Sequence, residues 1–272
     1  MTAQEGGCGS DYSINPENEG PKLNENSHIK HIVAVASGKG GVGKTLTTSL
    51  IACELVRRGF EVGILDADIT GPSIPRSFDA HEPPTIDEND KLLPVLTDAG
   101  VRIVSTNILT NDEAQPFLWR GPVLSSILNQ FYSDVVWGEL DYLLIDMPPG
   151  TGDVPMTIYQ QFSIDGVVIV TAPQVLVNMI VEKAIRMTEV MKVPVLGLVE
   201  NMSYFECPDC GKRHEIFGKS EVEKIADKKG IEAWAKGPIV PETAKLVDEG
   251  KVDEVDASWL KPVVDKLASL EN

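Results

Sequence analysis

Two short stretches of this chain carry residues that can do chemistry. The first is FECPDCGK, residues 205–212, which sets Cys207 and Cys210 two residues apart. That spacing presents two thiolates to one metal ion or cluster, whereas structural zinc and iron–sulfur sites usually take four protein ligands. One chain therefore carries half a site. His214, in CPDCGKRH, offers a third ligand of the kind zinc accepts. Thiolate softness by itself does not separate zinc from iron and sulfide. A CPxC pair at a helix N-terminus would suit thiol–disulfide exchange instead.

The second stretch is GKGGVGKT, residues 38–45. Gly38, Gly40, Gly41 and Gly43 let the backbone N–H groups around Lys39 and Val42 point at phosphate oxygens, and a helix starting near Lys44 adds a favourable dipole. In such a P-loop Lys44 reaches the β and γ phosphates of ATP, and the Thr45 hydroxyl ligates Mg²⁺. Lys39 is a second lysine that an ordinary P-loop does not need. Hydrolysis also requires a held metal and an aimed water. Asp146 ends the apolar run of LLIDMPPGTGD, where a carboxylate can hold a Mg²⁺-bound water, and Asp66 and Asp68 end the earlier run of LDADITGPS. Asp68 is expected to position the attacking water and Asp66 to support the metal shell. Both lie where ligands of open α/β sheets bind, at the carboxyl ends of strands.

The elements that must hold these residues follow from the apolar pattern. Runs of strand length recur at 31–37, 61–67, 101–107, 141–147, 166–172 and 193–199, nearly continuous in apolarity, as in strands buried on both faces. Helix-like stretches occupy 44–58, 121–136, 153–163 and 175–191. The alternation predicts a doubly wound α/β fold with a mostly parallel sheet. Residues 79–98 read as a surface excursion or short hairpin. Residues 1–28 read as a disordered polar tail carrying Cys8, and 29–272 as a single domain with a metal loop at 205–218. The last stretch, DASWLKPVVDKLASL, has helical apolar spacing; Pro262 and Asp265 spoil a membrane-surface helix, so it is expected to dock on its own domain.

Composition excludes several classes. Lys and Arg number 24 against 41 Asp and Glu, a net charge of −17, which argues against broad binding to nucleic acid or anionic lipid. No apolar run approaches a membrane span, and the N-terminus has no secretory pattern, so a cytoplasmic protein is expected. Four unevenly placed cysteines do not make a disulfide framework. Cys53 falls among apolar residues of the helix after the P-loop and reads as core.

Taken in order, SGKGGVGKT, DADITGPS, WRGP, WGELDYLLIDMPPGTGD, VENMSYF and CPDCG resemble the Mrp/ApbC family of P-loop ATPases, iron–sulfur cluster carriers related to MinD. The match runs from about Ile32 to Phe217, and the P-loop is similar to the deviant Walker A motif KGGxGK[ST]. The resemblance implies an ATP- and Mg²⁺-dependent ATPase that works as a homodimer. In that dimer Lys39 reaches the partner's phosphates, Asn201 lies near the adenine ring, and Cys207 and Cys210 share a [4Fe–4S] cluster with the same pair of a second subunit. Its partners would be cluster scaffold proteins and apo iron–sulfur proteins. The four-cysteine tail motif of the eukaryotic cytosolic branch is absent, since the tail has only Cys8. Two other functions use parts of the same pattern. A MinD/ParA-like positioning ATPase predicts a basic patch or a membrane-targeting terminal helix, and a zinc-stabilised nucleotide-binding regulator predicts a third ligand beside the thiols.

Overall fold

The computed structural model describes residues 21–68, 74–105, 121–173 and 177–271. Cys8 and most of the expected tail lie outside the described residues, as do Ile69 to Ser73 of LDADITGPS and the first half of WRGP. The strands are β1 (Ser27–Ser37), β2 (Val62–Asp66), β3 (Val95–Leu96), β4 (Val101–Ser105), β5 (Gly138–Asp146), β6 (Gly166–Thr171), β7 (Val195–Glu206), β8 (Arg213–His214) and β9 (Trp234–Pro238). The helices are α1 (Lys44–Arg57), α2 (Ile74–Ser77), α3 (Gly121–Ser133), α4 (Asp153–Gln161), α5 (Val177–Met191), α6 (Val222–Lys229), α7 (Pro241–Asp248) and α8 (Lys261–Ala268).

These strands form one sheet in the order β3-β4-β2-β5-β1-β6-β7, with β9 also on β7 and β8 paired to the far end of β7. Every pairing is parallel except β3 with β4 and β7 with β8. The fold is the expected α/β class with a mostly parallel sheet. Strand β1 begins earlier than its apolar run and takes in Ser27 and His28, because Ser27 to Ile29 pair with Gly138 to Leu140. Backbone pairing extends the strand there with little help from burial.

Alternation along β1 shows why the strands read as continuously apolar. Val33 and Val35 face a layer with Leu50 and Leu55 of α1 and Val263, Val264 and Leu267 of α8. Ile32 and Ala34 face the opposite layer, with Phe131 of α3, Ile158 of α4 and Ile185 of α5. Each fully buried aliphatic side chain of this kind stabilises by roughly 2 kcal/mol. The terminal helix α8 docks on its own domain: Val263, Val264 and Leu267 are buried, and the Tyr142 hydroxyl of β5 donates to the Leu267 carbonyl at 2.9 Å. Its apolar face is thus spent on the core and not offered to lipid. Among the described residues no helix is long and apolar enough to cross a membrane.

The expected irregular stretch holds an isolated bridge between Ile86 and Leu92 and the short antiparallel edge strand β3. Strands β1, β2 and β5 end side by side, with Asp66 opposite Asp146 in the register. That shared edge is where the site forms.

Candidate active site

Loop 38–43 joins the end of β1 to the start of α1. Gly41 and Gly43 adopt left-handed backbone, at φ 76° and 80°, which a side chain would strain. Gly43 also caps α1 without any side-chain bond, so the first-turn N–H groups stay available to a ligand. Two glycines answer to packing as well. A Cβ on Gly38 would come within 2.2 Å of Ile180 Cγ2, and one on Gly43 within 2.2 Å of Asn201 Nδ2. Around Gly41, by contrast, nothing lies within 4 Å of an added Cβ. The loop is packed from behind and open in front. Lys39 is half-buried in it, and its carbonyl accepts the Ser37 hydroxyl at 3.0 Å.

Asp146 gathers the polar groups. Its Oδ2 accepts the Thr45 hydroxyl at 2.8 Å and lies 2.8 Å from Lys44 Nζ, while Oδ1 accepts the Thr48 hydroxyl at 2.7 Å. Lys44 Nζ is also 3.3 Å from Asp68 Oδ2. Asp66 accepts the Ser105 hydroxyl at 2.9 Å and the Asp68 backbone N–H at 3.1 Å. The structure thus brings Lys44, Thr45, Asp66, Asp68 and Asp146 into one buried cluster. Thr48 and Ser105 belong to it too, although the motifs did not mark them. Thr48 sits one turn beyond Lys44 on the same helix face, and Ser105 ends the neighbouring strand, so helical period and strand order were the available signals.

Nucleotide fits this arrangement. The Lys44 ammonium is buried, with Asp146 Oδ2 at 2.8 Å and Asp68 Oδ2 at 3.3 Å as its ion-pair partners. An ammonium has three N–H donors, so two carboxylate partners leave it donor capacity for a phosphate oxygen. The oxygen set of Thr45, Asp66 and Asp146 suits Mg²⁺, which is usually bound through one or two carboxylates together with substrate phosphates and water. No cluster of three or more His, Cys, Asp or Glu among the described residues makes a preformed metal cage.

Burial acts on both carboxyls. It raises the Asp66 pKa to about 8, with the nearby Asp146 charge adding to the shift. Asp146 is also raised by burial, but Lys44, Thr48 and Thr45 work against that shift and favour its charged form. Burial and the Asp146 charge thus favour the neutral form of Asp66, while the Lys44 ammonium and two hydroxyl donors favour the charged form of Asp146. Between pH about 4 and 8 the folded, nucleotide-free chain keeps a proton that the unfolded chain, at an ordinary 3.8, has released. Stability from this group is complete below the unfolded value and is lost as pH rises through the folded one. Asp66→Asn, neutral at every pH, should outlast wild type in urea without nucleotide or Mg²⁺. The advantage should grow toward pH 8 by up to about 1.4 kcal/mol per pH unit. A difference that stays flat from pH 5 to 8 would contradict the protonated Asp66.

The thiol pair lies on the tip of the β7–β8 hairpin. The Cys207 N–H donates to the Lys212 carbonyl at 3.0 Å and the Gly211 N–H to the Cys207 carbonyl at 2.8 Å, with Gly211 left-handed at φ 69°. The Asp209 backbone N–H, then those of Cys210 and its thiol, lower the Cys207 pKa and favour thiolate. Cys207 is half-buried and Cys210 exposed, and both are free thiols. This is a strand hairpin, so the helix terminus that a thiol–disulfide exchange pair wants is not there. His214 pairs across the ladder with Phe205 and is exposed, and it does not complete a three-ligand zinc set. Cys53 is buried, its thiol pushed up to about 12 by burial, as a core residue.

Asn201 lies on β7, the strand that leads into the thiol hairpin. It is buried, and its Nδ2 donates to the Val42 carbonyl of the loop at 3.1 Å. The structure therefore gives this side chain a contact with the P-loop backbone that the sequence pattern did not suggest.

Comparison with known proteins places the chain among relatives over nearly its whole length. A ParA family model described as NUBPL iron-transfer P-loop NTPase matches residues 28–269. An iron–sulfur cluster carrier protein of Clostridium perfringens is 42% identical over 260 residues, covering 93% of this chain and 89% of that protein. A nucleotide-binding protein of Archaeoglobus fulgidus, solved in complex with ADP, is 43% identical with a TM-score of 0.77, covering 86% of this chain and 91% of the other. The cell division ATPase MinD of Pyrococcus furiosus superposes with a TM-score of 0.61 over 89% of this chain and 98% of its own, but at 19% identity, so that likeness speaks for the fold alone.

Proposed function

Because the chain belongs to the NUBPL iron-transfer P-loop NTPase family, we propose that it is an ATP-hydrolysing iron–sulfur cluster carrier that delivers its cargo to apo-proteins. The loop N–H groups and Lys44 hold the β and γ phosphates. Asp68 orients the attacking water, and Lys39 reaches the phosphates of a second subunit in a homodimer. Mg²⁺ held by Thr45 and Asp146, with Asp66 behind them, supplies neutralisation of the phosphate charge. Asn201 lies beside the bound nucleotide, near its base. A single domain, which the pairing of Ser27 and His28 with β5 starts two residues before the expected 29, serves all of these steps, in the cytoplasm, where thiols are kept reduced.

The cargo is a [4Fe–4S] cluster received from scaffold proteins. One observation carries this reading: the hairpin presents two thiols, with N–H groups favouring thiolate at Cys207, and no third ligand gathers beside them among the described residues. A two-fold axis through the hairpin turns two half-sites into one four-sulfur site. A positioning ATPase has no use for the thiols and finds the apolar face of α8 already buried. Anaerobic reconstitution with iron and sulfide tests the proposal. The expected product is a brown dimer with about four irons per two chains, able to restore a ferredoxin-type apo-protein. A colourless chain, or one zinc per monomer, would sink it.

A further inference from the structure

Strand β7 joins the two chemistries of the chain. Asn201, on the strand, is tied to the P-loop through the Val42 carbonyl, and the same strand ends at Glu206 and turns into the hairpin at Cys207. The strand is irregular from Asn201 itself toward the hairpin. From Glu200 to Tyr204 β7 advances four positions while its partner β9 advances two, from Lys236 to Pro238. The extra residues form a bulge. Met202 within it takes left-handed backbone, φ 56°, which residues bearing a Cβ seldom adopt.

Ser203 pins the bulge. Its hydroxyl lies 2.7 Å from both the carbonyl and Oε1 of Glu200 and donates its one proton between these two acceptors, and Glu200, Asn201 and Ser203 are all buried. The ladder resumes beyond it, where the Ile239 N–H donates to the Tyr204 carbonyl at 2.7 Å. The hairpin past that point is a short unit tied mainly to itself, through two β7–β8 register pairs, the Arg213–Glu206 ion pair at 2.9 Å and Arg213 over the Tyr204 ring. A bulge of this type bends a strand and re-aims the residues beyond it. Here the P-loop contact is made by the first residue of the bulge, and the thiol pair lies beyond its end.

We propose that the Asn201–Ser203 bulge is a hinge that carries nucleotide occupancy of the P-loop to the Cys207/Cys210 hairpin. Asn201 holds the loop side, and the Ser203–Glu200 clamp sets the direction in which the hairpin leaves the sheet. The inference rests on nucleotide binding at the P-loop but not on the identity of the cargo. Thermodynamically it requires nucleotide to favour one bulge geometry over another, and the effect is reciprocal. Ser203 and Met202 are positioning residues in this scheme, without contact to phosphate or metal.

Amide hydrogen exchange on the full-length, cluster-free protein tests it, with saturating Mg·ADP as the probe. In wild type, nucleotide should protect residues 38–45 and change exchange over 205–214 by about fivefold. In Ser203→Ala the P-loop should still be protected, while the hairpin response falls below about 1.5-fold. Ser203→Thr restores a hydroxyl and should recover the response. Met202→Gly, which frees the bulge from its single geometry, should behave like Ser203→Ala and serves if that variant folds poorly. A wild-type hairpin indifferent to nucleotide, or a Ser203→Ala hairpin that responds as wild type does, overturns the hinge. Failure of iron reconstitution would remove the cluster carrier and leave this result standing.

Discussion

Lys44→Met should lose ATP hydrolysis, with kcat down by at least about a hundredfold, the scale set by removing one preorganised charge from a transition state. The ammonium sits in a pocket with side-chain exposure of 5%, 2.8 Å from Asp146 and 3.3 Å from Asp68, so no water can take its place cheaply. The same substitution strips Asp146 of its counter-ion. Breaking a buried pair costs about 3–5 kcal/mol when the remaining charge stays. Protonation of Asp146 should relieve part of that cost, so the variant unfolds at lower urea, most clearly at high pH. Turnover measured where the variant is still folded separates the two effects. Hydrolysis within about threefold of wild type would remove Lys44 from the reaction.

Cys207→Ala should abolish cluster binding, from about four irons per two chains to almost none, because a two-fold site loses two of its four sulfurs at once. Cys210→Ala should do the same, although Cys210 is the more exposed residue. That equality distinguishes a shared cluster from a reactive thiol, for which the thiolate-favoured Cys207 alone would matter. Neither thiol supports the core, and both lie on a short hairpin, so urea unfolding should shift by less than about 0.5 kcal/mol. Iron and visible absorption can then be read without a folding correction. Retention of more than half the iron in either variant would mean that other ligands hold it.

Much of this was legible in the residues themselves. Strands buried on both faces announce themselves by unbroken apolarity, and Val33, Val35, Leu143 and Ile145 are buried as that pattern requires. The P-loop was legible because its glycines have local reasons, seen in the left-handed φ of Gly41 and Gly43. The stretch from 219 to 250 was not. Its helices α6 and α7 are eight residues each and at least half polar, and β9 contains lysine, glycine and proline in WAKGP. Elements so short are held by tertiary packing more than by pattern. The far half of β7 was hidden for a related reason, since the bulge at Asn201–Ser203 breaks the two-residue period by which a strand is recognised.

The amino-acid order alone determined which groups are present and which are neighbours along the chain: a phosphate loop, three acids at strand ends, and a thiol pair. Those are local properties, set by spacing over a few residues. Only the tertiary structure decided that Thr48 and Ser105 join the acids, that burial raises the Asp66 carboxyl, and that Asn201 grips the P-loop. Such facts depend on which strands lie side by side and on how much water is excluded between them, and both are fixed by contacts between residues far apart in the chain.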